Sequence, residues 1–201
     1  MTVHGRYTGI LRDDLSYAFD ADAQDFPGVD NSAGLYRASL RRSQCVSNLS
    51  ALTSGVMTSV ALFLRAGDVV TNLTFVSATT AAGTPTAWWF ALYNTAATPA
   101  LLAQTADQTS TAWAANTAKT VALASPQTIA TTGWHYAAIM VAATTPPTLA
   151  GVALHNAVES GAIITGEKVL ARTSGSSLTT TAPATIATPT TVATVPLVIA
   201  T

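Results

Sequence analysis

Val56-Met57-Thr58-Ser59-Val60-Ala61-Leu62-Phe63-Leu64 carries Val56, Thr58, Val60, Leu62 and Leu64 on one face at a period of two. That is the period of a β-strand, whose successive side chains point to opposite faces. Ala66-Gly67-Asp68 supplies a turn, and residues 69–78 (VVTNLTFVSA) resume with Val69, Leu73 and Phe75 together. Further on, Ala82-Gly83-Thr84-Pro85 reads as a loop and residues 88–93 (WWFALY) as a dense aromatic strand. Residues 101–104 read as a short strand, and residues 120–123 as another that Ser125-Pro126 ends. Residues 133–141 (GWHYAAIMV) are strongly β by their aromatic content, until Thr144-Thr145-Pro146-Pro147 breaks them.

Residues 152–154, 163–164, 169–171 and 195–200 are the strands expected in the C-terminal part. The Thr-, Ala- and Pro-rich run 182–194 ends in Val195-Pro196-Leu197-Val198-Ile199, and its β-branched content favours ordered strand over linker. Eight or more short strands with no convincing helix imply a sandwich or a barrel. The expected fold is all-β, a two-sheet jelly-roll-like β-sandwich (46–201) preceded by an extended N-terminal arm (1–45). A jelly roll manages sheet edges in a domain of this size. An immunoglobulin-like sandwich is the alternative, although the Cys–Trp–Cys arrangement of its antibody-type members is absent.

Only 9% of the residues are charged, and Ala and Thr stand where charge is missing. Such a surface is little repelled by its neighbours and suits packing against copies of itself or a larger assembly. The net charge is −1, with no basic patch, so no nucleic-acid partner is expected. No apolar run approaches the ~20 residues of a spanning helix, so no membrane insertion is expected, and the first eleven residues hold no leader-like apolar run. Cys45 is the single cysteine, which excludes an intrachain disulfide and argues against a thiolate metal site.

Charge is concentrated at the N-terminal side: Asp13, Asp14, Asp20, Asp22, Asp25, Asp30, Arg6, Arg12, Arg37, Arg41 and Arg42 all fall within the first 42 residues. Isolated apolar anchors are set among them. Tyr7, Leu11, Tyr17, Phe19 and Phe26, with Arg37, Arg41 and Arg42, are the candidate contacts of an assembly arm. Leu35–Leu40 reads as a short strand or a helical turn. The arm has two open readings, packing on its own domain or on a neighbouring subunit.

Chemistry is sparse. His155 and Glu159 approach a metal-ligand spacing but match no metal motif, and surface-loop roles are expected for both. His135 lies between Trp134 and Tyr136 in a strand and reads as a structural, half-buried histidine. The sandwich offers only Asp68, Asp107, Glu159 and Glu167 as carboxylates, and the Gly-x-Ser-x-Gly elbow is missing. No catalytic residue, metal or cofactor is therefore expected. Trp88 and Trp89 are adjacent and must point to opposite faces. Core packing is expected for both and for Trp134. Trp113, in the polar stretch TSTAWAANTAK, is the candidate surface contact, able to stack on a sugar or anchor an interface.

Residues 64–70 (LRAGDVV), 88–93 (WWFALY), 101–104 (LLAQ), 111–113 (TAW) and 133–136 (GWHY) together resemble a β-sandwich module of virion proteins from tailed bacteriophages infecting actinobacteria. Those proteins are often labelled minor tail proteins, and similar folds serve as capsid decoration proteins and fibre heads. The resemblance covers roughly residues 50–200. It implies display on the virion, frequent homotrimers and no catalysis, and it brings no binding residues with it. The function expected is a non-enzymatic virion structural protein on the particle surface, of the minor tail or fibre kind, touching other virion proteins and a host-surface glycan. A capsid decoration protein clamped by its arm and a carbohydrate-binding module are the alternatives.

Overall fold

The structure is a computed structural model that describes residues 35–201. Its strands are β1 (Arg37–Ala38), β2 (Ser47–Asn48), β3 (Met57–Leu64), β4 (Val69–Val76), β5 (Gly83–Tyr93), β6 (Leu101–Gln104) and β7 (Ala118–Thr128). They continue as β8 (Gly133–Thr145), β9 (Ala150–Ala153), β10 (Ala171–Ser174), β11 (Thr190–Thr191), β12 (Thr194–Pro196) and β13 (Val198–Ala200). Among these residues helix is confined to a 3-10 turn at Arg42–Gln44 and one α-helical turn, α1 (Ala157–Ser160).

Two antiparallel sets face each other, β1-β13-β4-β7 and β3-β8-β5-β6. In chain order, the first of these eight strands pairs with the last (β1 with β13) and the second with the seventh (β3 with β8). The third pairs with the sixth (β4 with β7) and the fourth with the fifth (β5 with β6). One long antiparallel hairpin wrapped into two sheets gives this order, which is a jelly roll. β10 and β11 extend the second sheet beyond β3, and β12-β9-β2 form a small third sheet. β12 runs into β13 through Leu197, so one stretch of chain serves two sheets.

The alternation read from residues 56–64 finds its partner strands. Val60, Leu62 and Leu64 point inward with Trp88, Phe90, Leu92, Ile139 and Val141, and meet Leu73, Phe75 and Val198 from the other sheet. Rings fill the centre: Phe75 and Phe90 lie 4.8 Å apart, and Trp88 and Trp113 5.2 Å apart. Offset aromatic pairs of this kind add stability beyond the area they bury.

β3 is not a one-sided strand, however. Its outward face is buried as well, except at Phe63. A second core lies outside the β3-β8-β5 sheet, where Met57, Ala61, Trp89, Tyr93, Tyr136 and Met140 pack under Leu178, Ala182 and Ile186. The run 182–194 expected as strand is strand only at Thr190–Thr191 and from Thr194, and the covering segment between Ser174 and Thr190 is an irregular strap. It is tied down by backbone carbonyls. Trp89 Nε1 donates to Thr179 O at 2.7 Å, and the Tyr93 hydroxyl donates to Pro183 O at 2.8 Å. Gln104 accepts from Ala182 N and donates to Thr180 O, at 2.7 and 3.2 Å. Trp89 thus faces away from Trp88, as adjacency requires, and both are buried. Arg172, also on this face, stacks its guanidinium 3.9 Å over the Tyr136 ring.

Strand limits differ from the sequence reading where pairing overrides local signals. β5 begins at Gly83, inside the expected loop, because Gly83 and Pro85 pair with Thr145 and Ala143 of β8 across a register shift. β7 runs through Pro126, because it is an edge strand and the proline falls within the bulge opposite Val70 and Asn72. Ile163-Ile164 is not strand and lies exposed in the β9–β10 excursion. The strand expected at 169–171 starts at Ala171.

Leu35–Leu40 packs on the chain's own sandwich. β1 adds to β13, Leu35 and Leu40 touch the inner core, and Arg37 Nε and Nη2 each reach an Asp68 carboxylate oxygen at 3.0 Å. The sheet thus already begins at residue 37, within the segment 1–45 expected as arm. Arg37 is spent on an intrachain ion pair, while Arg41 and Arg42 stand exposed at the 3-10 turn. Tyr7, Leu11, Tyr17, Phe19 and Phe26 lie outside the described residues.

His135 is a titratable side chain on the inner face, buried, with Nδ1 donating to Gly133 O at 3.0 Å. Burial lowers its pKa below the ordinary 6.5, against weaker opposite pulls from that hydrogen bond and from Asp68. The folded state therefore holds a neutral imidazole, and the unfolded chain takes up a proton first as pH falls. This contribution is complete above 6.5 and is lost as pH drops from there toward the lower folded value. His135→Leu is expected to shrink the fall in melting temperature between about pH 7.5 and about pH 5. An unchanged fall in that variant would show that the histidine is not its source.

Candidate functional site

The four carboxylates of the sandwich all accept hydrogen bonds from the chain's own backbone. Asp68 accepts from Arg65 N at 2.8 Å, and Asp107 from Trp88 N at 2.9 Å. Glu159 accepts from His155 N at 3.0 Å, and Glu167 from Ile163 N and Ile164 N at 2.8 and 3.1 Å. Asp68 and Asp107 hold turns of the sandwich. Glu159 and Glu167 shape the excursion between β9 and β10. His155 and Glu159 meet through that backbone bond at the start of α1, where the Asn156 side chain accepts from Val158 N and Glu159 N. A sequence stretch that did not read as helical becomes one turn because Asn156 caps it. No group of three metal-ligating side chains converges among the described residues. No helix among them is long and apolar enough to cross a membrane.

Trp113 is not a surface contact. It is 1% exposed, inserted between the sheets against Trp88 and Phe90, with Nε1 donating to Thr117 O at 3.0 Å. Its polar neighbours are the solvent side of a loop, and the ring is the loop's anchor into the core. Its backbone bridges Ala82, which fixes the loop against the start of β5.

Trp134 takes the opposite correction. Core packing was expected, yet the ring is 42% exposed. It shares the outer face of β8 with Tyr136, but it stands at the sheet end, beyond the strap that covers Trp89 and Tyr93. Its cross-strand partner is Phe63, in an edge-to-face pair with centroids 5.4 Å apart. That contact holds the ring upright from one side and leaves the other open.

The β9–β10 excursion rises beside this open side. It is pinned at its base, where Ala61 N donates to Leu170 O at 2.8 Å, Leu170 N to Ser160 O at 2.7 Å and the Tyr136 hydroxyl to Val169 O at 3.0 Å. Lys168 crosses to the β5–β6 turn, where Nζ donates to Thr95 O at 3.0 Å. The result is a cleft of about 480 Å³ walled by Trp134, Glu159, Ile163, Thr165, Glu167 and Lys168, with Leu170 and two glycines completing it. This lies within the usual range of ~300–1,000 Å³ for small-molecule sites. Val158 and Ile164 stand exposed on the same excursion.

Sequence reasoning missed this site because its parts are far apart: β3 and β8 supply the rings, and the excursion supplies the polar wall. The one usable signal was Trp134 at a strand start, next to the Thr131-Thr132-Gly133 turn, where a sheet end leaves side chains uncovered. No protein-family model and no curated protein matches the chain.

Proposed function

We propose that this chain is a non-enzymatic structural protein on the surface of a bacteriophage particle, of the minor tail or fibre kind. The observation that carries the reading is the way its polar chemistry is used. Each sandwich carboxylate holds backbone, while Phe63, Trp134, Ile163 and Leu170 stand exposed around one cleft, which supports a contact role for that end. The jelly-roll strand order and the motif resemblance of residues 50–200 support the same reading. Self-association, as a homotrimer, and docking to other virion proteins belong to this proposal. So does contact with the host surface.

Quantitative mass spectrometry of purified particles, scaled to the major capsid protein, tests it. A handful of copies per particle is the expected result. A ratio near that of the shell subunit would make the chain a capsid decoration protein instead. Absence from particles of a phage that encodes it would overturn the virion assignment.

A further inference from the structure

We propose that the Trp134 cleft binds a saccharide, and that the sugar is neutral or amino-bearing rather than acidic. A sugar ring asks for two things at once, an aromatic face for its C–H side and fixed polar groups for its hydroxyls. The cleft presents both. The Trp134 ring is held by its edge contact with Phe63 and exposed on the cleft side. Such a ring offers a large contact area at low entropic cost.

The polar wall is partly set in advance. Glu159 and Glu167 each use Oε2 to accept backbone N–H groups of the excursion, which orients both side chains and leaves Oε1 without a hydrogen bond among the described residues. Lys168 is fixed through Thr95 O and keeps further N–H donors, since an ammonium has three. Thr165 adds a hydroxyl. Groups held in this way need no reordering when a ligand arrives.

The same wall argues against an apolar protein partner. Covering the cleft with an apolar surface would strip water from two carboxylates and an ammonium without replacing their hydrogen bonds, which is costly. Sugar hydroxyls replace those bonds. The charged lining is Glu159 and Glu167 against Lys168, an excess of one negative charge, which repels uronic and sialic acids and favours an amino sugar.

This inference gives a ligand class to the host contact proposed above, but its test stands apart from the particle assignment. Trp88, Trp89 and Trp113 are buried and Trp134 alone among the four tryptophans is exposed, so intrinsic fluorescence reports on the cleft. The full chain is titrated with oligosaccharides of glucose, galactose, mannose, glucosamine and N-acetylglucosamine, and with a polyuronate as the acidic control. Saturable change with at least one neutral or amino sugar, and none with the polyuronate, is expected. Trp134→Ala should weaken binding at least about tenfold while leaving the melting temperature nearly unchanged. Glu167→Gln tests the polar wall, and its melting curve separates loss of binding from loss of the excursion.

Saturable binding that Trp134→Ala leaves intact would overturn the site. No binding of any probe would overturn the ligand class. So would self-association that Trp134→Ala abolishes without any sugar response, because the cleft would then be a subunit contact. A sugar-binding chain absent from particles would keep this inference and remove the virion reading, and a particle-bound chain that ignores sugars would do the reverse.

Discussion

Replacing Trp113 by Ala is expected to be among the most damaging single changes in the molecule, at about 3–5 kcal/mol. The ring is 1% exposed and stands within 5.2 Å of Trp88 and 5.8 Å of Phe90, centroid to centroid. Its removal leaves a cavity at the meeting point of both sheets, and the β-sheet backbones around it cannot collapse to fill the space. It also releases the loop that Trp113 anchors, because Nε1 no longer reaches Thr117 O. For a chain of this size, each kcal/mol moves the melting temperature by about 2–4 °C, so a drop of about 6–20 °C is expected. Thermal and urea melts of the variant check it. A shift within a degree or two would place the ring outside the core, where the sequence reading had it. The pairing with Trp134→Ala is informative, because the two tryptophans exchange roles relative to expectation: one variant should cost stability and spare the cleft, and the other should do the opposite.

Gly151→Ala should be similarly severe despite adding a single methyl group. Gly151 sits in β9, between β2 and β12, with Val195 of β12 packed against it. A Cβ there would run into the Val195 carbonyl oxygen and stand 2.9 Å from Pro196 Cα and 2.8 Å from Leu49 Cδ1. Two of these neighbours are backbone, so no side-chain rotation relieves the clash. Overpacking of this kind costs about 1–3 kcal/mol and more where the backbone must move, so a loss of about 3 kcal/mol is expected. The displaced strand, β12, continues directly into β13 of the main sandwich, so the damage reaches the larger fold. Gly67→Ala is the comparison. Its φ is +94° with nothing within 4 Å, so only backbone strain of about 1 kcal/mol applies. Urea melts of the two variants should rank them in that order. Equal midpoints would show that the close approach at Gly151 is relieved at little cost.

The sequence determined the fold class. Alternation in residues 56–64, the aromatic strands at 88–93 and 133–141 and the turn at 66–68 are local signals. Strand and turn preference are written in the residues themselves, so β3, β4, β6 and the cores of β5 and β8 fall where expected. The relation of Trp88 to Trp89 was equally legible, because adjacency on a strand dictates opposite faces.

Burial was another matter. Trp113 lies in a polar stretch and is buried, and Trp134 opens an aromatic-rich strand and is exposed. Which side of a sheet is covered depends on where distant chain lands. The strap between Ser174 and Thr190 crosses the outer face over Trp89 and Tyr93 and stops short of Trp134. No local pattern encodes that reach, because the strap carbonyls that accept from Trp89, Tyr93 and Gln104 carry no side-chain signature in the sequence. The cleft follows from the same cause. Phe63, Trp134, Glu159, Glu167 and Lys168 become neighbours only when β3 pairs with β8 and the excursion folds back beside them. Strand identity came from residues a few positions apart. The site came from residues up to about a hundred positions apart, and only the closed jelly roll brings those together.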